Sequence, residues 1–222
     1  MDNANRLDSI ENIAATIAHE VKNPLSLVKA NIELLESADT ERLFSKNYNV
    51  IKNQLNLINE MIMNFLQLTE EVKEEFDIVY LYDVACSVLE NYKVSLSSKV
   101  DFYIVCPDKN ISILGLKKCI SSLILNILKN SVEAISSKKG TINIKILNTD
   151  QEAIISISDN GDGIPEEKIS TLGDSFFTTK ENGNGLGVAI CKKIVSQHNG
   201  TITYKNNPDC GCTVTLTFPL YC

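Results

Sequence analysis

The chain has 222 residues, with 21 basic against 28 acidic side chains and a net charge of −7. Hydrophobic residues at 44% exclude wholesale disorder, because that much apolar surface can offset chain entropy. The acidic balance argues against a nucleic-acid partner, which calls for a basic patch, although a helix N-terminus or a few lysines can still hold a phosphate locally.

From about Leu7 to Leu68 there is no glycine and one proline, Pro24. Apolar residues recur at alternating three- and four-residue steps: Ile10, Ala14, Ile17, Val21, Leu25, Val28, Ile32 and Leu35, then Phe44, Tyr48, Ile51, Leu55, Ile58, Ile62 and Phe65. This spacing predicts two long helices, separated at residues 37–40 with Asp39 or Thr40 as N-cap. One hairpin cannot bury both sides of its apolar stripe. Pairing with a second copy into a four-helix bundle is therefore expected, the alternative being a hairpin packed on its own C-terminal half.

An acidic stretch (Glu70, Glu71, Glu74, Glu75) leads to a linker near Val72–Phe76, which divides the chain into 1–72 and 76–222. Beyond it, residues 100–105, 141–147, 153–158 and 213–218 alternate like strands, antiparallel in character. Helical patterns fall at about 81–91, 116–135 and 186–197. The fold class is α+β: the helical hairpin, then a two-layer α/β sandwich. No apolar run approaches the ~20 residues that span a bilayer, and the N-terminus lacks a signal-peptide core, so a cytoplasmic chain without a membrane segment is expected. Seven scattered cysteines without a C-x-x-C pair read as buried or incidental thiols, and Cys210-Gly211-Cys212 is only a weak pointer to a soft metal.

Four clusters bear on chemistry. Asn126 and Asn130 stand one helical turn apart in an otherwise apolar stretch, where an amide oxygen offers a hard ligand for magnesium or simply bridges local backbone. Asp159-Asn-Gly161-Asp-Gly163 follows a strand. Its carboxylate can accept a hydrogen bond from an amino group such as that of adenine, and its glycines admit a flat ligand or form a tight turn. Phe176-Phe-Thr178-Thr179-Lys180 precedes Gly183-Asn-Gly185-Leu186-Gly187 at a helix start, where backbone N–H groups can meet phosphate. Gly211-Cys212-Thr213 enters the last strand and by itself means a turn.

Taken together and in this order, from about Phe76 to Leu220, the clusters resemble the Bergerat-type ATP-binding domain shared by sensor histidine kinases, DNA gyrase, and the heat-shock chaperone and mismatch-repair ATPases of the same class. The resemblance implies ATP and Mg2+ as cofactors. It implies that Asn130 coordinates the magnesium with Asn126 on the phosphate side, that Asp159 contacts the adenine amine, and that Gly161 and Gly163 make room for the base. Thr178, Thr179 and Lys180 would belong to a lid, and Gly183, Gly185, Leu186 and Gly187 would line the phosphate end. The last cluster commonly reads Gly-Thr in this family; here Cys212 follows Gly211, and Thr213 is the residue available to substitute. The short segment between Gly173 and Gly183 is similar to nitrogen-regulation and sporulation-type kinases.

Ala18-His19-Glu20-Val21-Lys22-Asn23-Pro24-Leu25 resembles the phosphoacceptor box of histidine kinases almost letter for letter. A neutral imidazole is a nucleophile near pH 7, and the adjacent Glu20 can take its other ring proton. Asn23, one turn on, implies orientation of a water that hydrolyses a partner's phosphoaspartate. The expected protein is a homodimeric histidine kinase core that phosphorylates His19 and passes the group to a response-regulator receiver domain, with a separate sensor protein as one source of control. Gyrase-like ATPase clamps place a glutamate where Asn126 stands, and a non-catalytic phosphotransfer scaffold would not need the intact ATP clusters. The other histidine, His198, reads as structural or exposed.

Overall fold

A computed structural model describes residues 21–35, 41–69, 75–94, 100–135, 139–169 and 186–221. The chain divides into two compact units, Met1–Glu71 with Gly173–Ala189, and Val72–Leu172 with Ile190–Cys222.

In the first unit, helix α1 covers residues 21–35 and helix α2 covers Glu41–Thr69. The break expected at residues 37–40, with its N-cap, lies outside the described residues. One half of the apolar spacing is covered: Val28 is buried, and Val21, Leu35, Ile51, Ile58 and Phe65 are partly so, while Met61, outside that spacing, is buried too. The other half is bare. Tyr48, Leu55 and Ile62, spaced by sevens, are 53%, 50% and 44% exposed, and Leu25 and Ile32 on α1 behave alike. A single copy thus leaves a seven-residue apolar repeat in water, which is the pattern of a coiled-coil seam.

The second unit is a two-layer sandwich. Strands β1 (Asp77–Tyr80) and β3 (Ser112–Gly115) pair antiparallel as a small separate sheet. The main sheet has the order β2-β4-β5-β7-β6, from β2 (Val100–Val105), β4 (Gly140–Asn148), β5 (Glu152–Asp159), β7 (Cys212–Pro219) and β6 (Thr201–Asn206). The expected antiparallel character holds except at one place: β2 runs parallel to β4. Parallel neighbours need a long crossover, and β3 with helix α4 (Lys117–Ala134) provides it.

Alternation decides which face is covered. Ile142, Ile144 and Ile146 of β4, Ile155 and Ile157 of β5, and Leu216 of β7 are fully buried, while the intervening Asn143 and Lys145 are exposed. Helices α3 (Leu81–Val94) and α4 pack side by side, α4 lies on β4 and β5, and helix α6 (Leu186–Gln197) buries Ile190, Cys191, Ile194 and Val195. The helical face of α4 follows from Ile120, Leu123, Ile124, Ile127 and Leu128 at three- and four-residue steps, with no glycine or proline inside. Each such side chain contributes ~1.5–3 kcal/mol by burial, and cutting Ile155 back to alanine would cost ~2–5 kcal/mol. The short helix α5 (Glu166–Ile169) follows the loop after β5. Among the described residues, no helix is long and apolar enough to cross a membrane.

Candidate functional site

Asp159 is the last residue of β5, and the strand's alternation puts it on the helix-covered face, where Ala153, Ile155 and Ile157 precede it. It is 6% exposed. A carboxylate in an apolar layer is costly unless hydrogen-bonded. Here the Gly161 N–H donates to Asp159 Oδ1 at 2.9 Å and the Cys212 N–H donates to the same oxygen at 3.2 Å. Both bonds fall on Oδ1, which fixes the carboxylate's orientation.

The two turns that supply these donors have no room for side chains. A Cβ on Gly161 would meet the Ala134 carbonyl oxygen at 2.6 Å, because the loop docks on the end of α4, where the Asp162 N–H donates to Ala134 O at 3.0 Å. Gly211 has φ +83°, and a Cβ there would run into the Asp159 carbonyl.

On α4, Asn126 is partly buried. Its amide nitrogen Nδ2 is buried and has no hydrogen-bond partner among the described residues. The neighbouring Cys191 thiol is a weak acceptor, and burial, against the pull of the Asn126 amide, pushes that thiol up to about 12. A buried N–H donor with nothing better than a thiol sulfur beside it fits an anionic oxygen such as that of a phosphate. Asn130 is exposed one turn later and presents the kind of amide oxygen that magnesium accepts. No group of three or more His, Cys, Asp or Glu side chains able to hold a metal exists among the described residues, so a cation at Asn130 would depend on ligand oxygens and water.

Of the other residues singled out by the sequence, Asn23 lies exposed on α1, Leu186 opens α6, and a Cβ on Gly187 would meet only open space. His19, Glu20, Thr178, Thr179, Lys180, Gly183 and Gly185 lie outside the described residues. Thr213 sits on the sheet face opposite Asp159. Its Oγ1 is 2.6 Å from Asn207 Oδ1 and 2.9 Å from Ser158 Oγ. A hydroxyl has one proton to give, so Thr213 donates to the amide oxygen and accepts from Ser158. The residue beside the carboxylate is Cys212, whose thiol is pushed up to about 11, first by burial and then by Asp159.

Residues 115–221 match the family described as "Histidine kinase-, DNA gyrase B-, and HSP90-like ATPase", and residues 9–71 match the "His Kinase A (phospho-acceptor) domain". The two matches together span most of the chain, in the order of a kinase core. The chain belongs to the histidine kinase family. Sporulation kinase B of Bacillus subtilis is 29% identical over 96% of this chain and 50% of that protein. The signal transduction histidine-protein kinase AtoS of Escherichia coli is 30% identical over 99% of this chain and 36% of that protein. This histidine kinase core therefore spans about half the length, or less, of those relatives. Among solved structures, the catalytic domain of histidine kinase ThkA superposes with a TM-score of 0.61 at 26% identity, covering 66% of this chain and 96% of that one. ThkA in complex with the response regulator TrrA shares the fold over 99% of this chain and 64% of that one, with a TM-score of 0.84 at 24% identity.

Two further residues, not singled out by the sequence, hold the segments next to Asp159. Asn207 Nδ2 donates to the Asp159 carbonyl at 2.9 Å, and Asn206 is hydrogen-bonded to both backbone groups of Ile164. Their only signal is an Asn-Asn-Pro run after a strand, which reads as a turn. His198 is buried and structural. Its Nδ1–H donates to Ile194 O at 2.7 Å, its Nε2 accepts the Leu116 N–H at 3.0 Å, and its ring stacks on Phe76. Burial holds it below the ordinary histidine value, opposed in part by the Ile194 carbonyl.

Proposed function

We propose that this core binds ATP at Asp159 and the Asn126–Asn130 face of α4 and transfers the γ-phosphoryl group to His19. The observation that carries the reading is the buried Asp159, held through Oδ1 by two backbone N–H groups. Its other oxygen, Oδ2, is the acceptor offered to the adenine amine. Gly161 and Gly163 shape the loop beside the base rather than leave space for it, since a Cβ on Gly161 would strike the Ala134 carbonyl and one on Gly163 would crowd Asn206, and Asn126 Nδ2 donates a hydrogen bond to a phosphate oxygen. Asn130 would hold the magnesium, which supplies neutralising charge on the phosphates when bound. Thr178, Thr179, Lys180, Gly183, Gly185, Leu186 and Gly187 serve as lid and phosphate lining. Thr213 acts indirectly, through Asn207.

In the transfer, a neutral His19 ring nitrogen attacks the γ-phosphorus and the bond to the β–γ bridging oxygen breaks, releasing ADP. Glu20 takes the proton of the other ring nitrogen, which removes positive charge as the new P–N bond forms. The phosphoryl group then passes to an aspartate of a response-regulator receiver domain, and Asn23 orients the water that later removes it. The exposed repeat of Leu25, Ile32, Tyr48, Leu55 and Ile62 supports a homodimer closed as a four-helix bundle, with the domain boundary at residues 72–76. Dependence on ATP supports a cytoplasmic site of action. Control by a separate sensor protein is consistent with a core of this kind.

The test is incubation with γ-labelled ATP. Acid-labile, base-stable label on the unsubstituted chain, absent from His19→Ala, is the expected result. Acid-stable label, or label that persists in His19→Ala, would refute the assignment.

A further inference from the structure

Adjacent asparagines at the end of β6 bind both glycine turns that flank Asp159. Asn206 Oδ1 accepts the Ile164 N–H at 2.8 Å and its Nδ2 donates to the Ile164 carbonyl at 2.6 Å. One side chain thereby satisfies both polar groups of a residue in the loop after β5, as a neighbouring strand would. The fit is close, since a Cβ on Gly163, which has φ +75°, would lie 3.1 Å from Asn206 Oδ1. Asn207 holds the other turn. Its N–H donates to Gly211 O at 2.9 Å, and its Nδ2 lies 2.9 Å from Asp159 O, 3.2 Å from Cys210 O and 3.2 Å from Ser158 Oγ. Thr213 steadies the Asn207 oxygen from the sheet side.

These bonds converge on the two segments that aim the carboxylate. The Gly161 and Cys212 N–H groups that fix Asp159 Oδ1 belong to the two turns that the asparagines hold. We propose that Asn206 and Asn207 are positioning residues for base recognition: by lacing the 161–165 loop and the 210–212 turn to the end of β6, they set the direction in which Asp159 Oδ2 faces the nucleobase. The proposal rests on the reading of Asp159 as the adenine acceptor. A carboxylate so aimed accepts from the adenine amine and opposes the guanine carbonyl, so its orientation decides discrimination between purines rather than grip on phosphate.

The experiment is titration calorimetry of the full chain with ATP and with GTP, in the presence of magnesium. Asn206→Asp keeps the acceptor for the Ile164 N–H but sets an oxygen against the Ile164 carbonyl. It is expected to weaken ATP binding about tenfold, the size of one such bond with its unpaired carbonyl, while GTP binding stays unchanged, so that the ATP-over-GTP ratio narrows. Thr213→Val, isosteric and remote from the base, is expected to narrow the ratio in the same direction by a smaller factor, and it carries the test if Asn206→Asp does not fold. Equal loss for ATP and GTP would make the lacing merely structural and overturn the proposal, as would an unchanged ratio in a folded variant. If the unsubstituted chain does not prefer ATP, the adenine reading of Asp159 fails and the proposal falls with it. A preference that is lost in Asp159→Asn but kept in Asn206→Asp and Thr213→Val overturns the lacing alone.

Discussion

The two units of the chain satisfy their apolar residues in different ways. In the sandwich, Ile142, Ile144, Ile146, Ile155, Ile157 and Leu216 are fully buried by helices of the same chain. In the helical unit, Tyr48, Leu55 and Ile62 stay about half exposed, although their sequence spacing is as regular as that of any core. A sheet face closes with local helices because strand alternation presents one flat apolar surface that α4 can cover. Two helices have curved faces and can cover only one side of each other, so the remaining stripe waits for another surface. The difference teaches that a complete core marks the unit that binds, and an incomplete one marks the unit that assembles.

Five substitutions, the last of them read against pH, bear on that division. His19→Ala should abolish labelling from ATP altogether while leaving ATP affinity unchanged, since the acceptor lies in a different unit from Asp159, Asn126 and Asn130; calorimetry beside a labelling gel checks both halves. Loss of ATP binding in that variant would contradict the division. Leu55→Glu should weaken self-association by about a hundredfold or more, because a two-fold assembly would bury the charge from each copy. Light scattering should then report a monomer whose sandwich melts at an unchanged temperature. A dimer that survives would mean the bare repeat is not the seam.

Asp159→Asn should weaken ATP binding by ~1.5–3 kcal/mol, roughly ten- to hundredfold, because an asparagine can present a donor to the adenine amine. Unchanged affinity would place the base elsewhere in the sandwich. Asn23→Ala should slow removal of phosphate from a receiver domain several-fold while leaving labelling of His19 largely intact. Equal loss of both rates would make Asn23 a support for the helix before Pro24 instead.

The smallest effect concerns pH. The neutral His198 ring both donates and accepts, so a proton on Nε2 would break the bond from the Leu116 N–H. Its folded value lies below the ordinary one. Above the unfolded value of ~6.5 both states are neutral and there is no pH dependence from this residue. As pH falls below that, the unfolded chain takes up the proton first and stability drops, by at most ~1.4 kcal/mol per pH unit, until the folded ring titrates too. Urea unfolding of His198→Gln at several pH values should show that slope removed from the sandwich transition and nothing altered in the helical one.

Much of this was legible before any coordinates. The helices expected at about 81–91, 116–135 and 186–197 and the strands expected at 100–105, 141–147, 153–158 and 213–218 fall within three residues of α3, α4, α6, β2, β4, β5 and β7 at either end, because each element is long enough to repeat its period. Strands β1 and β3, four residues each, show too few alternations to be told from turns, and β6 alternates over only two apolar residues, Ile202 and Tyr204, before its polar end. The parallel pairing of β2 with β4 joins segments some forty residues apart, and no local pattern encodes such a partner.

The same boundary runs through the site. Residue chemistry and spacing along the chain determined that Asn126 and Asn130 share a helix face and that Asp159 ends an apolar strand with glycines after it. Those facts depend only on helical and strand period, which any segment carries within itself. Tertiary structure alone decided that Cys212, rather than Thr213, stands beside the carboxylate and that Asn206 and Asn207 tie down its two turns. Which face of β7 meets β5, and which side chain at the end of β6 reaches a loop forty residues earlier, depends on register between strands, and register is a property of the folded sheet rather than of any one stretch of sequence.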